Sequence, residues 1–195
     1  MLFQILTVIV LILFYGRYLY KMLMQRKAGI QTDQMGKGKA GFAKWIEIIM
    51  KIATYLAVAA EVVSIILNTG IFPVLLRTIG LILAVVGVLF FTITVYTMKD
   101  SWRAGVSHTD ETHLVTSGIF QISRNPAFLG FDLVYIGIVY MFFNVPLLVI
   151  SAVACLMLHL QIVNNEEPFL QEAFGEEYLE YKKHVNRYLG KHYGN

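Results

Sequence analysis

Charge is scarce in this sequence. Asp, Glu, Lys and Arg make up 15% of its 195 residues, against about a quarter in soluble domains. The apolar residues, 57% of the total, are gathered into long blocks. Together these features exclude an ordinary water-facing fold and point to a bilayer. Cysteine is reduced to Cys155, inside an apolar run, which rules out an intrachain disulfide. No Cys/His cluster has metal-ligand spacing, and His108 and His113, in a polar loop, read as a solvated pair. No metal is expected. The net charge of +3 is small, and no nucleic-acid partner is expected. Internal repeats and low-complexity tracts are also missing, so residues 1–195 read as a single membrane domain.

What is present is a series of hydrophobic segments. The first covers about 2–20. It lacks the basic start and small-residue cleavage site of a signal peptide, and at about 19 residues it can cross about 30 Å of hydrocarbon. Further spans are expected at about 45–67, 72–98, 127–142 and 146–163. Asn68-Thr69-Gly70 separates the second from the third, and Pro73 suits a first helical turn. The apolar region from Ala127 to Val163 is too long for one span. Asn144 and Pro146 break it into a tight helical hairpin. The expected fold is therefore all-α and integral to the membrane, with about five transmembrane helices.

Charge placement supports that count. Lys21, Arg26, Lys27, Lys37, Lys39 and Lys44 follow the first span. Lys99, Arg103 and Arg124 follow the third, and Lys182, Lys183, Arg187 and Lys191 follow the fifth. The other two turns carry no charge. The positive-inside rule then puts the N-terminus outside and the C-terminus in the cytoplasm, in the plasma membrane if the source is prokaryotic. The tail from Glu166 to Tyr188 has an apolar face of Phe169, Leu170, Ala173 and Phe174. It reads as an amphipathic helix near the cytoplasmic surface.

Polar residues inside a bilayer need a reason. Glu61, Asp132 and His159 are the interior candidates, and bundle packing accounts for all three. Asp132 is the strongest, one turn beyond Phe128 on the same helix face. A second group lies at the cytoplasmic end, where "LVTSGIFQISRNPAFLG" supplies a glycine, an aromatic, an arginine and a helix start. The hairpin brings Arg124–Phe128 towards Glu166 and Glu167. A cation and backbone donors would there face two carboxylates beside an apolar helix pair, which suits a zwitterionic, partly apolar cofactor. A snorkelling arginine above a solvated Glu pair explains the same spacing.

The two segments together resemble the isoprenylcysteine carboxyl methyltransferase family, which includes related bacterial and archaeal membrane methyltransferases. Gly118, Phe120, Arg124, Pro126, Phe128 and Gly130 match its first motif, with Phe in place of Tyr twice. Glu166, Glu167, Leu170, Phe174, Gly175, Tyr178 and Tyr181 match the second in register. The resemblance implies S-adenosylmethionine as methyl donor. It also implies a lipophilic small-molecule or lipid acceptor, with a carboxylate as the accepting group, that enters sideways from the membrane. By position, Gly118, Phe120, Arg124, Asn125, Pro126, Phe128 and Leu129 would line the cofactor pocket. Glu166 and Glu167 would hold the polar end, and Tyr178 and Tyr181 would close it. Arg124 and Glu167 become the catalytic candidates, and Arg103 and Asp132 the acceptor-binding ones.

Two positions depart from the family pattern. Asn125 stands where the family has His, and Ile162 where a basic residue often precedes the Glu pair. Two other readings stay open. One is a membrane NAD(P)H-dependent reductase of the steroid-reductase type, although no dinucleotide-binding signature is present. The other is a non-catalytic membrane scaffold.

Overall fold

A computed structural model describes residues 1–36, 39–105 and 113–191. Lys37 and His108, both part of the sequence reading, lie outside the described residues. Six helices carry the fold: α1 (Leu2–Lys27), α2 (Gly41–Leu67), α3 (Val74–Met98), α4 (Pro126–Met141), α5 (Val145–Gln161) and α6 (Glu167–His184). Helices α1, α2 and α3 are long and apolar enough to cross a membrane, as is the continuous rod that begins with α5. Helix α4 is apolar but has only 16 residues, about 24 Å of rise against about 30 Å of hydrocarbon. The protein is all-α and integral to the membrane, with four long helices and one short one.

The helix boundaries follow local chemistry. Asn68 ends α2 in the left-handed conformation, with φ 49°, which Asn tolerates. Asn144 caps α5 by accepting from the Leu147 amide at 2.9 Å, with Pro146 in the first turn. The Asn144 amide also donates to Ser64 at 2.7 Å and to Thr69 at 3.1 Å. The two uncharged turns are thereby tied into one end of the bundle. At the other end, Ala104 donates to the Thr32 carbonyl and Gln34 donates to the Ala104 carbonyl, each at 2.9 Å. Gln25, fully buried, donates to the Trp102 carbonyl. The loops after α1 and α3 are thus held together.

Helices α3 and α4 pack at backbone distance. Gly80 and Gly87 of α3 meet Gly137 and Gly130 of α4. A methyl group added at Gly80 would lie 2.5 Å from the Gly137 carbonyl oxygen, and one at Gly87 would lie 2.6 Å from that of Gly130. Small residues allow this approach where lipid supplies no hydrophobic drive between helices. Phe14, Phe91 and Phe131 join α1 to the pair edge-on or tilted, with ring centroids 4.7–5.3 Å apart. A second core cluster joins α2, α4 and α5 through Met50, Ala53, Ala57, Tyr135, Ala154 and Leu158.

Helix α5 ends at Gln161. Ile162–Glu166 follows as a π-helical turn and passes directly into α6. The extra residue per turn rotates the chain, so that Glu166 and Glu167 take up different surroundings. Pro168 lies just after the π-helical turn, in the first turn of α6. Gly175 breaks α6 at φ 51° and turns its second half back over the bundle.

Candidate functional site

The C-terminal segment folds onto the start of α4. The Arg124 amide donates to the Asn186 carbonyl at 3.1 Å, and the Gly190 amide to that of Ile122 at 2.9 Å. Asn125, buried, donates through Nδ2 to the Arg187 carbonyl at 3.1 Å. Tyr181 Oη donates to the Phe120 carbonyl at 2.5 Å. The two motifs, separate in sequence, form one wall.

Behind that wall is a charge cluster in which Arg124 and Glu167 are buried. Glu167 takes two hydrogen bonds from Arg187, at 2.8 and 3.0 Å, and lies 3.0 Å from an Arg124 terminal nitrogen. Lys182 stands at 3.7 Å. The same Arg124 nitrogen donates to Tyr178 Oη at 2.8 Å. Burial opposes ionisation of Glu167, but the Arg187 hydrogen bonds and the Arg124 charge outweigh it and hold its carboxyl below the ordinary range. Arg124 Nε is buried without a partner.

Glu166 points elsewhere. It accepts from Gln161 at 3.3 Å. Gln161 also donates to Glu47 at 2.9 Å, and Lys39 forms an ion pair with Glu47. Burial pushes the Glu166 carboxyl up to about 7, against the lowering effects of the Gln161 hydrogen bond and the Lys39 charge.

A cavity of about 810 Å³ opens between these groups and the helices, within the usual range for small-molecule sites. Phe120, Arg124, Asn125, Pro126, Phe128, Glu166 and Tyr181 line one end of it. From there it runs past Phe131 and Tyr135 to a gap between α1 and α2. Leu19, Tyr55, Val62 and Val63 line this gap and are also exposed on the outer face of the bundle. The cavity is thus polar at one end and open to the lipid-facing surface at the other.

Seven of the site residues read from the sequence therefore share this cavity, and Arg103 joins them along its wall. Gly118, Leu129, Glu167 and Tyr178 do not line it. Gly118 adopts φ 61° beside Thr97, a conformation that favours glycine. Leu129 is packed in the core. Glu167 and Tyr178 act on the cavity through Arg124. Asp132 lies outside it as well, turned towards Cys155 on α5. His159 is held by Tyr188, 2.7 Å away.

Some participants were not legible in the sequence. Arg187 lies twenty residues beyond Glu167, across the Gly175 break, so helical periodicity does not connect them. Glu47 and Gln161 sit in helices that read as ordinary spans. The sequence signal nearest to them is an acid and an amide at the ends of otherwise apolar runs.

A sequence profile of the phospholipid methyltransferase family matches residues 75–177, which include the first motif, the second as far as Gly175, the seam between α3 and α4, and the π-helical turn. The chain belongs to the phospholipid methyltransferase family. Among its curated relatives, protein-S-isoprenylcysteine O-methyltransferase A of Arabidopsis thaliana is 32% identical over 108 residues, covering 54% of this chain and 55% of that protein. The Saccharomyces cerevisiae protein-S-isoprenylcysteine O-methyltransferase is 32% identical over 113 residues, covering 57% and 47%. The Rattus norvegicus protein of that name is 32% identical over 112 residues, covering 56% and 39%. The chain spans about half the length, or less, of these relatives.

Proposed function

We propose that this protein transfers a methyl group from S-adenosylmethionine to a carboxylate on a lipophilic molecule dissolved in the membrane. One observation carries the reading: a single cavity joins a charged end, walled by the two sequence motifs, to an apolar end that opens between α1 and α2. A water-soluble donor and a lipid-soluble acceptor can meet there without either leaving its own phase. The names of the relatives support methyl transfer.

The groups lining the charged end fit the donor. Its carboxylate suits the unpartnered Nε of Arg124, and its positive centres suit Glu166. Phe128 and Tyr181 offer apolar ring surface beside them. When bound, S-adenosylmethionine supplies a methyl group on a sulfonium, so the C–S bond breaks as a C–O bond forms, and a carboxylate acceptor needs no proton removed. The chain's own work is then alignment and exclusion of water. Such positioning contributes roughly 7–11 kcal/mol to reactions of this kind. Glu167 and Arg187 fix the Arg124 guanidinium, and Tyr181 clamps the Phe120 backbone. Asn125 cannot titrate near neutral pH as a histidine would; it holds the tail through the Arg187 carbonyl. With Ile162 packed inside the bundle, Arg103, on the cavity wall, is the cation assigned to the acceptor's carboxylate. The charged end faces the cytoplasm, consistent with the placement of the basic residues.

Calorimetric titration of the detergent-purified chain with S-adenosylhomocysteine, and separately with NADP, tests this. Binding of the first alone is expected. Binding of NADP alone would replace methyl transfer with reduction, and silence from both would leave a scaffold.

A further inference from the structure

The cavity has a second polar feature that methyl transfer does not use. Tyr15 of α1 and Tyr135 of α4 both line it in its membrane-embedded part. The Tyr15 hydroxyl donates to Glu61 Oε2 at 2.9 Å, and Glu61 is fully buried in α2. Its other oxygen, Oε1, has no hydrogen-bond partner. The Tyr135 hydroxyl lies beside Tyr15, is equally buried, and makes no hydrogen bond of normal geometry. Aromatic rings flank the pair, and Cys155 and Asp132 are further polar groups that act on Tyr135. Phe14 meets the Tyr15 ring edge-on at 5.1 Å, and Phe131 lies 6.1 Å from the Tyr135 ring.

Unmade hydrogen bonds are costly in hydrocarbon. Three helices contribute one member each to this cluster; Tyr15 and Tyr135 line the cavity, Glu61 stands behind them, and the oxygen of Tyr135 is left without a hydrogen-bond partner. Tyr135 lies seven residues beyond Phe128 on α4, about 10 Å further from the charged end. It is therefore too distant to touch a transferred methyl group and close enough to touch the body of a molecule whose head lies there.

We infer that Tyr15, Tyr135 and Glu61 form a subsite for a hydroxyl group carried along the chain of the lipophilic acceptor. A hydroxyl accepts from Tyr135 and donates to the Tyr15 oxygen, whose own proton is committed to Glu61. The inventory of donors and acceptors selects this group. A carbonyl could accept from Tyr135 but has nothing to donate. An ammonium could donate but not accept. A plain hydrocarbon tail would leave both tyrosines as they are. The subsite thus separates hydroxylated chains from simple isoprenoid ones. Glu61 is a positioning residue, acting through Tyr15.

The inference rests on the cavity's being the acceptor site, and it has its own readout. The purified chain is titrated with a mid-chain hydroxystearate and with stearate, whose carboxylates can occupy the charged end in the same way. The hydroxylated acid should bind about three- to tenfold more tightly. Tyr135→Phe, which removes only an unpartnered oxygen and leaves the packing intact, should bring the two within about twofold. Glu61→Leu should narrow the difference as well, by freeing Tyr15. Equal behaviour of the two acids towards the unaltered chain, including no binding of either, overturns the subsite, as does a preference that survives Tyr135→Phe. S-adenosylhomocysteine, titrated alongside, separates the two proposals. Donor binding without hydroxyl discrimination leaves methyl transfer standing alone, and discrimination without donor binding leaves the subsite standing alone.

Discussion

Helix α4 borders two very different seams. Against α3 the backbones touch, with Gly80 and Gly87 opposed to Gly137 and Gly130, and there is no room for a side chain. Across the cavity, α1 and α2 barely meet, and Leu19, Tyr55, Val62 and Val63 border a gap that reaches the lipid-facing surface. The closed seam fixes the height and rotation of α4, and with them the placement of Arg124–Phe128 at its start. The open seam is where the proposed acceptor would enter. In a bilayer, where apolar surface gains little from contact with apolar surface, side-chain size decides which seam closes.

The contrast can be tested from both sides. The largest effect is expected from Gly137→Val, whose added carbons would meet the Gly80 carbonyl and Ala84. Because backbone has to move, the cost should be about 3 kcal/mol or more, read as a large fall in thermal stability in detergent. Glu167→Gln comes next. It leaves the buried Arg124 without its carboxylate partner and should cost about 2–3 kcal/mol, less than a fully buried pair because Arg187 and Lys182 stay partly wet. S-adenosylhomocysteine affinity should fall with it; unchanged affinity would mean that Arg124 takes no part in donor binding.

On the open seam, Ala59→Trp fills the cavity mouth, since Ala59 lines the cavity and is exposed. Thermal stability should hold while methyl transfer drops at least about tenfold. The smallest effect concerns pH. Glu166, with its carboxyl raised to about 7, is mostly protonated at pH 6 and mostly ionised at pH 8. Affinity for the cationic donor should therefore rise about five- to tenfold across that interval. The folded state holds this proton more tightly than the unfolded chain, so its contribution to stability falls as pH rises from the ordinary carboxyl range to 7. Glu166→Gln should flatten both trends.

The long apolar helices were legible because their runs are read directly from the sequence, and Asn144 and Pro146 marked the hairpin through cap chemistry. The shared wall of Arg124–Phe128 and Tyr181 was legible through the family resemblance. The division of labour within the Glu pair was not. A π-helical turn at Ile162–Glu166 has no periodic signature, yet it sends Glu166 into the cavity and Glu167 into the charge cluster. Asp132 shares a helix face with Phe128 by spacing, but the helix presents it to Cys155 rather than to the cavity. Arg187 was hidden by the Gly175 break, and the open seam by the fact that Leu19, Tyr55 and Val62 look the same whether they face lipid or a gap.

The most direct measurement follows labelled methyl from S-adenosylmethionine into membrane lipid extract, with the unaltered chain and with Ala59→Trp side by side. If donor and acceptor meet in one cavity entered from the lipid, the unaltered chain labels a lipid-soluble product. Ala59→Trp then loses most of that labelling while binding S-adenosylhomocysteine unchanged. Equal labelling by both chains, or label found only in water-soluble product, would contradict it.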